Sequence, residues 1–397
     1  LVITEFLLVC ALSICCYAVS ILNTMQRSTI NQKEIYVATF ANNGDNDQQE
    51  EAQTATTEPQ SKEQEKESEK SGEQESVPES SSAKPGSVIN VSEVTQATTV
   101  DDILSHQETV NGYWNILLVG VDARDQANLG GGNGVQSDVM MICSINVKTK
   151  EVKLVSIYRD TLLNLGNDTY SKANAAYAYG GPEQAITMLN TNLDLNITDY
   201  VTVGWAGVAD TIDALGGVEI DVDESEINHL NNYQVETSKS LGKSYNKVTS
   251  TGLQTLDGIQ AVSYCRIRYT AGDDFKRTER QREVIQAILD KAKKANIATL
   301  NKAANTIFEE ISTSMTFTEI TELLTDVASY SIGETDGFPA EQYRATGDVH
   351  GASCVMSTDL TADVLSLHQF LFGDVGDYQP SSEVQSIAAK VHSDTGK

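Results

Sequence analysis

Basic residues are scarce in this sequence. The chain has 28 lysines and arginines against 56 aspartates and glutamates, which gives a formal net charge of -28 at neutral pH. Non-specific binding to nucleic acid needs clustered positive charge that neutralises phosphates. The charge balance therefore counts against direct contact with DNA or RNA, and we expect no nucleic-acid partner.

Several signatures of catalysis and metal binding are also absent. The cysteines form no CxxC pair, and the five histidines lack the spacing of zinc ligands. The sequence contains neither a GxSxG nucleophile elbow nor a GxxxxGK[ST] phosphate loop. These absences count against a zinc enzyme, a hydrolase with a serine elbow and a P-loop nucleotide hydrolase.

Aromatic residues are missing from a long stretch near the N-terminus. Residues 41–110 contain no Phe, Trp or Tyr and carry sixteen acids against four lysines. Such a segment cannot bury enough apolar surface to fold, so we interpret residues 26–112 as an acidic, disordered linker.

Residues 1–25 begin with an apolar run of about 20 residues, long enough to span a bilayer. We interpret them as a transmembrane anchor, with a cleaved signal peptide as the alternative.

The rest of the chain alternates between strand-like and helix-like patterns. Residues 115–122 form a near-continuous apolar run, typical of a strand covered on both faces. Two further predicted strands, 139–146 and 152–157, are joined by a short turn and indicate a hairpin. Residues 224–250 are polar, and we interpret them as an irregular surface excursion. The pattern predicts an α/β fold with a mixed central sheet flanked by helices.

We expect the folded domain to cover residues 113–375, followed by a C-terminal tail over 376–397. Three cysteines, Cys143, Cys265 and Cys354, lie in this domain. One disulfide, such as Cys265 with Cys354, and three buried thiols are both compatible with that number.

Charged residues stand at the ends of the three predicted strands. Asp122 ends the first strand, Asp138 precedes the second, and Arg159 followed by Asp160 ends the third. If the first and third strands are parallel and the second is antiparallel to both, these residues share one edge of the sheet. Ligand crevices of α/β proteins form at such edges.

Positive charge is concentrated in residues 264–282, which contain five arginines. At 100° per residue, Arg277 and Gln281 fall on the apolar stripe of the helix that follows. Asp274 is placed to cap that helix. A guanidinium that faces a core needs an anion, so we expect an anion site, with pairing to internal acids as the alternative. Two arginines fall on the flanks of the stripe, where we expect solvent: Arg280 and Arg282.

Five segments of the sequence carry a resemblance to a known family. They are NILLVGVDAR, SDVMMICSINVKTKEVKLVSIYRDT, KANAAYAYGGPEQAI, DALGGVEIDV and LDGIQAVSYCRIRYTAGDDFKRTERQR, in order over residues 115–282. They resemble the LytR-CpsA-Psr family of bacterial cell-envelope proteins. The resemblance implies a phosphotransferase that moves a glycan-1-phosphate polymer, such as teichoic acid or capsule, from a polyprenyl-pyrophosphate carrier to peptidoglycan. It also implies an apolar pocket for the prenyl lipid. A single-pass protein of a bacterial, Gram-positive cell membrane is implied as well, with its catalytic domain outside the membrane.

The resemblance also implies roles for individual residues. Asp122 and Asp138 match the acids that hold Mg2+, with Mn2+ as an alternative. The family's GDFGR is GDDFKR here, so Asp273 and Asp274 are both candidates for the acid of that motif. The residues implied to bind pyrophosphate are Arg159, Arg266, Arg268, Arg277 and Gln281, with Arg124 and Lys172 as nearby candidates.

Transfer chemistry assigns catalytic roles within this set. Phosphoryl transfer depends mostly on positioning and charge neutralisation, which we expect from Arg159 and Arg277. Asp160 and Asp274 are the candidates for the general base. Two other functions stay open: hydrolysis of the polyprenyl pyrophosphate by water, and binding of lipid-linked wall glycan without catalysis.

Overall fold

The computed structural model describes residues 26–27, 112–122, 129–131, 134–268, 273–308, 310–316, 319–320, 323, 326–349 and 351–396. The predicted anchor, nearly all of the predicted linker and Arg124 lie outside them. Among these residues, no helix combines the length and the hydropathy that crossing a bilayer requires.

A seven-stranded mixed sheet forms the centre of the fold. The described strands are β1 (Gln26–Arg27), β2 (Tyr113–Val121), β3 (Ser137–Asn146), β4 (Glu151–Ile157), β5 (Leu162–Asn164), β6 (Tyr170–Lys172), β7 (Ile197–Gly204), β8 (Val218–Val222), β9 (Gly252–Leu256), β10 (Ile311–Thr313), β11 (Ser331–Phe338), β12 (Arg344–Val349) and β13 (Ala352–Ser357). The order in the large sheet is β1-β10-β7-β2-β3-β4-β11. The pairs β5–β6, β8–β9 and β12–β13 form separate two-stranded sheets.

Helices cover both faces of the large sheet, which confirms the predicted α/β fold. The described helices are α1 (Asn174–Leu193), α2 (Trp205–Leu215), α3 (Glu224–Leu241), α4 (Gly258–Cys265), α5 (Asp273–Lys294), α6 (Ile297–Phe308), α7 (Leu360–Phe372) and α8 (Ser382–Thr395). Along β2, Leu117 and Val119 pack with residues of α1, α7 and α8. Their neighbour Ile116 points to the other face and packs with Phe308 of α6. Burial on both faces explains why β2 is apolar almost throughout.

The three predicted strands have the predicted directions. β3 is antiparallel to both β2 and β4, so β2 and β4 run the same way. The C-terminal ends of β2 and β4 and the N-terminal end of β3 therefore lie at one edge of the sheet. That edge positions the charged residues described below.

The prediction of an irregular excursion over residues 224–250 is wrong, because most of that stretch is α3. Asp223 caps the helix and forms a capping box with Glu226, whose side chain accepts a hydrogen bond from the Asp223 backbone at 3.0 Å. The buried face of α3 includes Leu230 but also the polar Gln234 and Thr237. Polar residues on the buried face hide the apolar periodicity by which helices are recognised.

The prediction of a C-terminal tail over residues 376–397 also needs correction, because α8 packs into the core. Asp194, buried at the end of α1, accepts hydrogen bonds from the Ser381 backbone and hydroxyl, both at 2.6 Å. The hydroxyl of Tyr378 donates to the same carboxylate at 2.9 Å. The domain therefore extends to the end of α8, whose buried residues are Val384, Ile387 and Val391.

The three cysteines of the domain are free thiols. Cys143 and Cys354 are buried, and Cys265 is half-buried. Of the two alternatives left open by the sequence, the structure has the one without a disulfide.

Asp363, in the first turn of α7, is a fully buried carboxylic acid. One of its oxygens accepts a hydrogen bond from the Ala340 backbone at 3.2 Å, and the Ser357 side chain lies beside the carboxyl. Burial raises the pKa of this carboxyl from 3.8 to about 7. Between these pH values the unfolded chain ionises first, so the folded state loses stability as the pH rises from 3.8 to about 7.

We expect Asp363→Asn to stabilise the protein at pH 8 and to have little effect at pH 4. The amide keeps an acceptor for the Ala340 N–H and removes the buried charge, whose pKa shift from 3.8 to about 7 corresponds to up to about 4 kcal/mol at pH 8. Urea unfolding of both proteins at pH 4, 6 and 8 measures this. A stability difference that does not change between pH 4 and pH 8 would contradict the assignment of the buried charge to Asp363.

Candidate functional site

The ends of β2, β3 and β4 bring together the charged residues predicted to meet there. A register shift after Gly120 brings Val121 opposite Ser137, so Asp122 and Asp138 both reach the same edge and line one cavity. A guanidinium nitrogen of Arg159, just beyond β4, donates to Asp138 at 3.0 Å. The predicted meeting of strand-end acids and arginine is confirmed.

Two arginines from a distant part of the chain reach the same place. Arg268, after α4, lies 3.9 Å from the Asp138 carboxylate, and Arg277, on α5, donates to the Asp138 backbone carbonyl at 2.9 Å. Asp274 lies between them, 3.3 Å from Arg268 and 3.5 Å from Arg277. Asp274 is not the cap of α5, because the helix already begins at Asp273. We call Arg159, Arg268 and Arg277 the arginine cluster.

The three guanidinium groups of the arginine cluster share a few acids. They face the carboxylates of Asp138 and Asp274, and Arg159 also lies 3.8 Å from Asp160, which pairs with Lys172. Burial, and after it the charges of Arg268 and Arg159, lower the pKa of Arg277 from 12.5 to about 10. Because an anion would relieve this repulsion, the cluster favours a negatively charged ligand.

Unused hydrogen-bonding groups point to the same kind of ligand. The Nε atoms of Arg159 and Arg277 are buried and have no hydrogen-bond partner among the described residues, and nor does the side-chain oxygen of Gln281. Buried polar atoms are rarely left unpaired in folded proteins. Unpaired donors on two arginines of the cluster favour a bound anion such as phosphate.

An apolar cavity of about 510 Å³ adjoins the arginine cluster. Its rim includes Arg268, Arg277 and Gln281, so polar and apolar parts form one continuous site. The volume lies within the range of about 300–1,000 Å³ that is typical of ligand pockets. The apolar pocket expected from the family resemblance is therefore present. Its walls come from the sheet and from α5, and include Leu118, Val201, Val203, Val284, Ile285 and Ile288.

Arg266, also predicted to bind pyrophosphate, lines the same cavity as Arg268 and Arg277, but its side chain contacts α2 and α3 rather than the acids of the arginine cluster. Its guanidinium stacks over Trp205 at 3.9 Å and also lies 5.3 Å from the ring of Tyr233. It donates to Thr237 at 2.8 Å and to Glu236 at 3.0 Å, both on α3. In this arrangement Arg266 fastens α3 to the wall of the cavity. Trp205, the first residue of α2, and Tyr233 of α3 also line the cavity, and neither was predicted. Tyr233 was missed because α3 was interpreted as irregular.

Lys172 and Asp160 form a neighbouring pair. The Lys172 ammonium lies 3.0 Å from Asp160, whose other oxygen is 3.8 Å from Arg159. Both candidates for the general base, Asp160 and Asp274, therefore contact cations of the site. The side chain of Asp273 lies outside the described residues.

The prediction that Arg280 and Arg282 face solvent is wrong, because both side chains are buried. Arg280 pairs with Glu226 of α3 at 2.7 Å. Arg282 donates to Ser156 at 2.8 Å and to Thr335 at 3.1 Å. These partners come from remote parts of the sequence, so the flanks of α5 are packed rather than solvated.

The carboxylates of the site suit a magnesium ion. Mg2+ binds proteins through one or two carboxylates and takes its remaining ligands from water and substrate phosphates. Asp122 and Asp138 lie on one rim beside the arginine cluster. Among the described residues no group of three or more His, Cys, Asp or Glu side chains could hold a metal by itself. The pair thus fits Mg2+ only together with a phosphate ligand.

These features define an α/β protein with a cationic site on the rim of an apolar cavity, suited to an amphiphilic anion. The family model described as LytR_cpsA_psr family matches residues 51–366, which is more than half of the chain. The chain belongs to the LytR-CpsA-Psr family.

Two characterised relatives are teichoic acid transferases by name. The polyisoprenyl-teichoic acid–peptidoglycan teichoic acid transferase TagU of Enterococcus faecalis is 30% identical over 219 residues, covering 54% of this chain and 66% of TagU. TagV of Bacillus subtilis, with the same full name, is 30% identical over 211 residues, covering 52% of this chain and 51% of TagV. The chain spans only about half to two thirds of the length of these relatives.

A solved structure has the same fold. The structure described as TagT bound to LI-WTA superposes with a TM-score of 0.52 at 24% identity, over 67% of this chain and 94% of TagT. At this identity the likeness concerns the fold.

Proposed function

We propose that this protein is a phosphotransferase that moves a glycan-1-phosphate polymer from a polyprenyl-pyrophosphate carrier to peptidoglycan. The observation that carries the proposal is the arginine cluster, with unused buried N–H groups, on the rim of an apolar cavity. A polyprenyl-pyrophosphate-linked glycan has the same two parts, a doubly charged diphosphate and a long apolar chain. The names of TagU and TagV favour a teichoic acid or a similar wall polymer as the glycan.

The arginine cluster binds the diphosphate in this proposal. Guanidinium groups match phosphate oxygens because they present parallel N–H donors in a rigid plane. Arg159 and Arg277 contribute their unused Nε–H groups, and the prenyl chain lies against Val284 and Ile288 of α5. Arg266 acts on the cavity wall through α3 and need not touch the phosphates.

Asp122 and Asp138 would hold Mg2+ at the rim. Bound there, the ion would neutralise charge on the phosphate oxygens. Asp138 also accepts from Arg159, so its position is fixed before a ligand arrives.

In the transfer step, a peptidoglycan hydroxyl oxygen attacks the phosphorus next to the sugar. A new P–O bond forms, the bond to the polyprenyl phosphate breaks, and polyprenyl phosphate leaves with the electron pair. The arginine cluster stabilises the charge that develops on the phosphate oxygens. We assign the hydroxyl proton to Asp274, which contacts Arg268 and Arg277, rather than to Asp160, which faces Lys172.

The same proposal places the catalytic domain outside the cell membrane, held by a single-pass anchor in residues 1–25. It is supported by the apolar composition of that segment and by the location of the acceptor, since peptidoglycan lies outside the membrane.

Turnover of a lipid-linked donor with and without acceptor tests the proposal. We expect the full chain in detergent, with Mg2+, to release polyprenyl phosphate and to label peptidoglycan only when peptidoglycan is present. Arg159→Ala should lower the rate about 100- to 1,000-fold, because it removes donors to the diphosphate. Lys153→Ala is the matched control: this cation on β4 contacts Phe370, away from the site, and its loss should change the rate less than twofold.

Other outcomes would replace the proposal with a different function. Release of polyprenyl phosphate at the same rate without acceptor would indicate a pyrophosphatase. Tight binding of the donor with no turnover in Mg2+ or Mn2+, unchanged in an Asp138→Ala variant, would indicate a non-catalytic binder.

A further inference from the structure

Arg344, the first residue of β12, contacts two aromatic rings next to the arginine cluster. Its guanidinium lies 3.8 Å from the ring centre of Phe275 and 5.1 Å from that of Tyr158. It also donates to the Tyr158 hydroxyl at 2.6 Å. The two rings meet edge to face, with their centres 4.7 Å apart. No described carboxylate lies within ion-pair distance of Arg344, so its contacts are with this aromatic pair.

Each of the two rings is next in the sequence to a charged residue of the site. Tyr158 immediately precedes Arg159, and Phe275 immediately follows Asp274. Two of the three segments that supply the arginine cluster, the end of β4 and the start of α5, therefore meet through these rings. Arg344 lies against both rings at once.

The surroundings of Tyr158 leave its ring little freedom. A side chain at Gly337 of β11 would come within 2.2 Å of the Tyr158 hydroxyl, so only glycine permits this close approach. The β12–β13 hairpin is itself fixed to the chain after Arg159, because the Val355 N–H donates to the Asp160 carbonyl at 2.9 Å. Arg344 therefore extends from an anchored hairpin onto an anchored ring.

We propose that Arg344 is a positioning residue that sets the distance between Arg159 and the Asp274–Arg277 turn by holding Tyr158 against Phe275. This role rests on the proposed function, because it takes the ligand of the site to be a diphosphate. Stacking of a planar guanidinium on an aromatic ring suits this role, since it is directional and does not use the charge for an ion pair. Displacements of about 1 Å at such a site are enough to cost affinity and rate.

Binding of two probes by the full chain in detergent tests the proposal. Geranylgeranyl pyrophosphate engages both parts of the site, whereas geranylgeraniol engages only the apolar cavity. We expect Arg344→Ala to weaken binding of the pyrophosphate about tenfold and to leave binding of the alcohol within twofold. Thermal melting of each variant shows whether the domain remains folded.

Two further variants separate positioning from direct contact with the ligand. Phe275→Leu removes the ring but keeps apolar volume, and it should weaken pyrophosphate binding about as much as Arg344→Ala does. Arg344→Lys keeps the charge but not the planar group, so it should not restore binding. Restored binding in Arg344→Lys, with Phe275→Leu unchanged from wild type, would mean that Arg344 binds the anion itself and would overturn the proposal.

The remaining outcomes are equally decisive. Wild-type affinity in Arg344→Ala, or an equal loss of affinity for both probes, would overturn the positioning role. If Arg159→Ala loses pyrophosphate binding while Arg344→Ala and Phe275→Leu do not, the proposed function stands and only this inference falls. Failure of the wild-type protein to bind the pyrophosphate would remove both. Lys153→Ala is the control, because it removes a cation–aromatic contact on β4 away from the site. This variant should bind both probes like wild type.

Discussion

Replacing Arg277 with alanine should reduce transfer from a polyprenyl-pyrophosphate-linked donor by about a thousandfold or more, the largest loss expected for any single residue of the site. Arg277 is the most buried member of the arginine cluster, with its side chain 4% exposed. It donates to the Asp138 carbonyl and lies beside Asp274, yet its Nε–H has no partner among the described residues. Arg277 is therefore held in place by the protein and left with a donor for the ligand.

The charged form of Arg277 is disfavoured in the protein without a ligand. Burial and the neighbouring Arg268 lower the pKa of Arg277 to about 10, so it stays protonated at neutral pH although its charged form is disfavoured. A bound diphosphate reverses that penalty, and the benefit is greatest when negative charge accumulates during transfer. Arg277→Lys should recover only part of the loss, since a lysine lacks the planar set of donors.

Steady-state release of polyprenyl phosphate by wild type, Arg277→Ala and Arg277→Lys measures the effect. Lys276→Ala is the matched control, because it removes one positive charge from the adjacent position, where the side chain is exposed and paired with Glu279. The control should stay within twofold of wild type. A turnover of Arg277→Ala within tenfold of wild type would show that the arginine cluster is not the site of phosphate transfer.

The strand ends of the site could be predicted because local rules determine them. Apolar runs mark the strands, and a short turn between two of them makes those two antiparallel. That turn joins β3 to β4, whereas the antiparallel pairing of β2 with β3 was a condition of the prediction. The structure has both pairings, and together they place Asp122, Asp138 and Arg159 at one edge. That Arg277 turns inward followed in the same way from the helical period of α5.

Whether the other arginines of α5 are buried or exposed depends on tertiary contacts, which helical periodicity does not reveal. Arg280 and Arg282 lie on the flanks of the apolar stripe of α5, and a flank is solvated only when nothing packs on it. Here α3 covers one flank through Glu226, and β4 and β11 cover the other through Ser156 and Thr335. α3 was itself missed because Gln234 and Thr237 occupy its buried face, so its cover over Arg280 could not be foreseen.

The same missed helix accounts for the position of Arg266. Spacing in the sequence places Arg266 and Arg268 on a common segment, and both were expected at the diphosphate. Arg266 ends α4 with helical backbone angles (φ -94°, ψ -10°), so the two arginines are not on one extended strand, where residues two apart would share a face. Arg268 reaches Asp138, whereas Arg266 reaches Trp205 and Glu236 on the other side. One segment thus serves both the anion site and the cavity wall.

Breaking the buried pair between Arg280 and Glu226 should lower the free energy of unfolding by about 3–5 kcal/mol. The two side chains are 2% and 7% exposed and lie 2.7 Å apart. Arg280→Met leaves the Glu226 carboxylate buried without its cation, and a buried unpaired charge is costly. Chemical denaturation of the variant at neutral pH measures the loss. The control is again Lys276→Ala, which breaks an exposed pair on α5 and should cost less than about 1 kcal/mol.

A double variant separates stability from function at this pair. Arg280→Met combined with Glu226→Gln removes both charges, so most of the lost stability should return. Arg280 also donates to the Ile267 carbonyl at 3.1 Å, between Arg266 and Arg268, and methionine cannot replace that hydrogen bond. Binding of geranylgeranyl pyrophosphate should therefore stay weakened in the double variant even where its stability recovers. Recovery of both would mean that the pair only stabilises the fold, whereas a loss below 1 kcal/mol in Arg280→Met would show that α3 is held to α5 by other contacts.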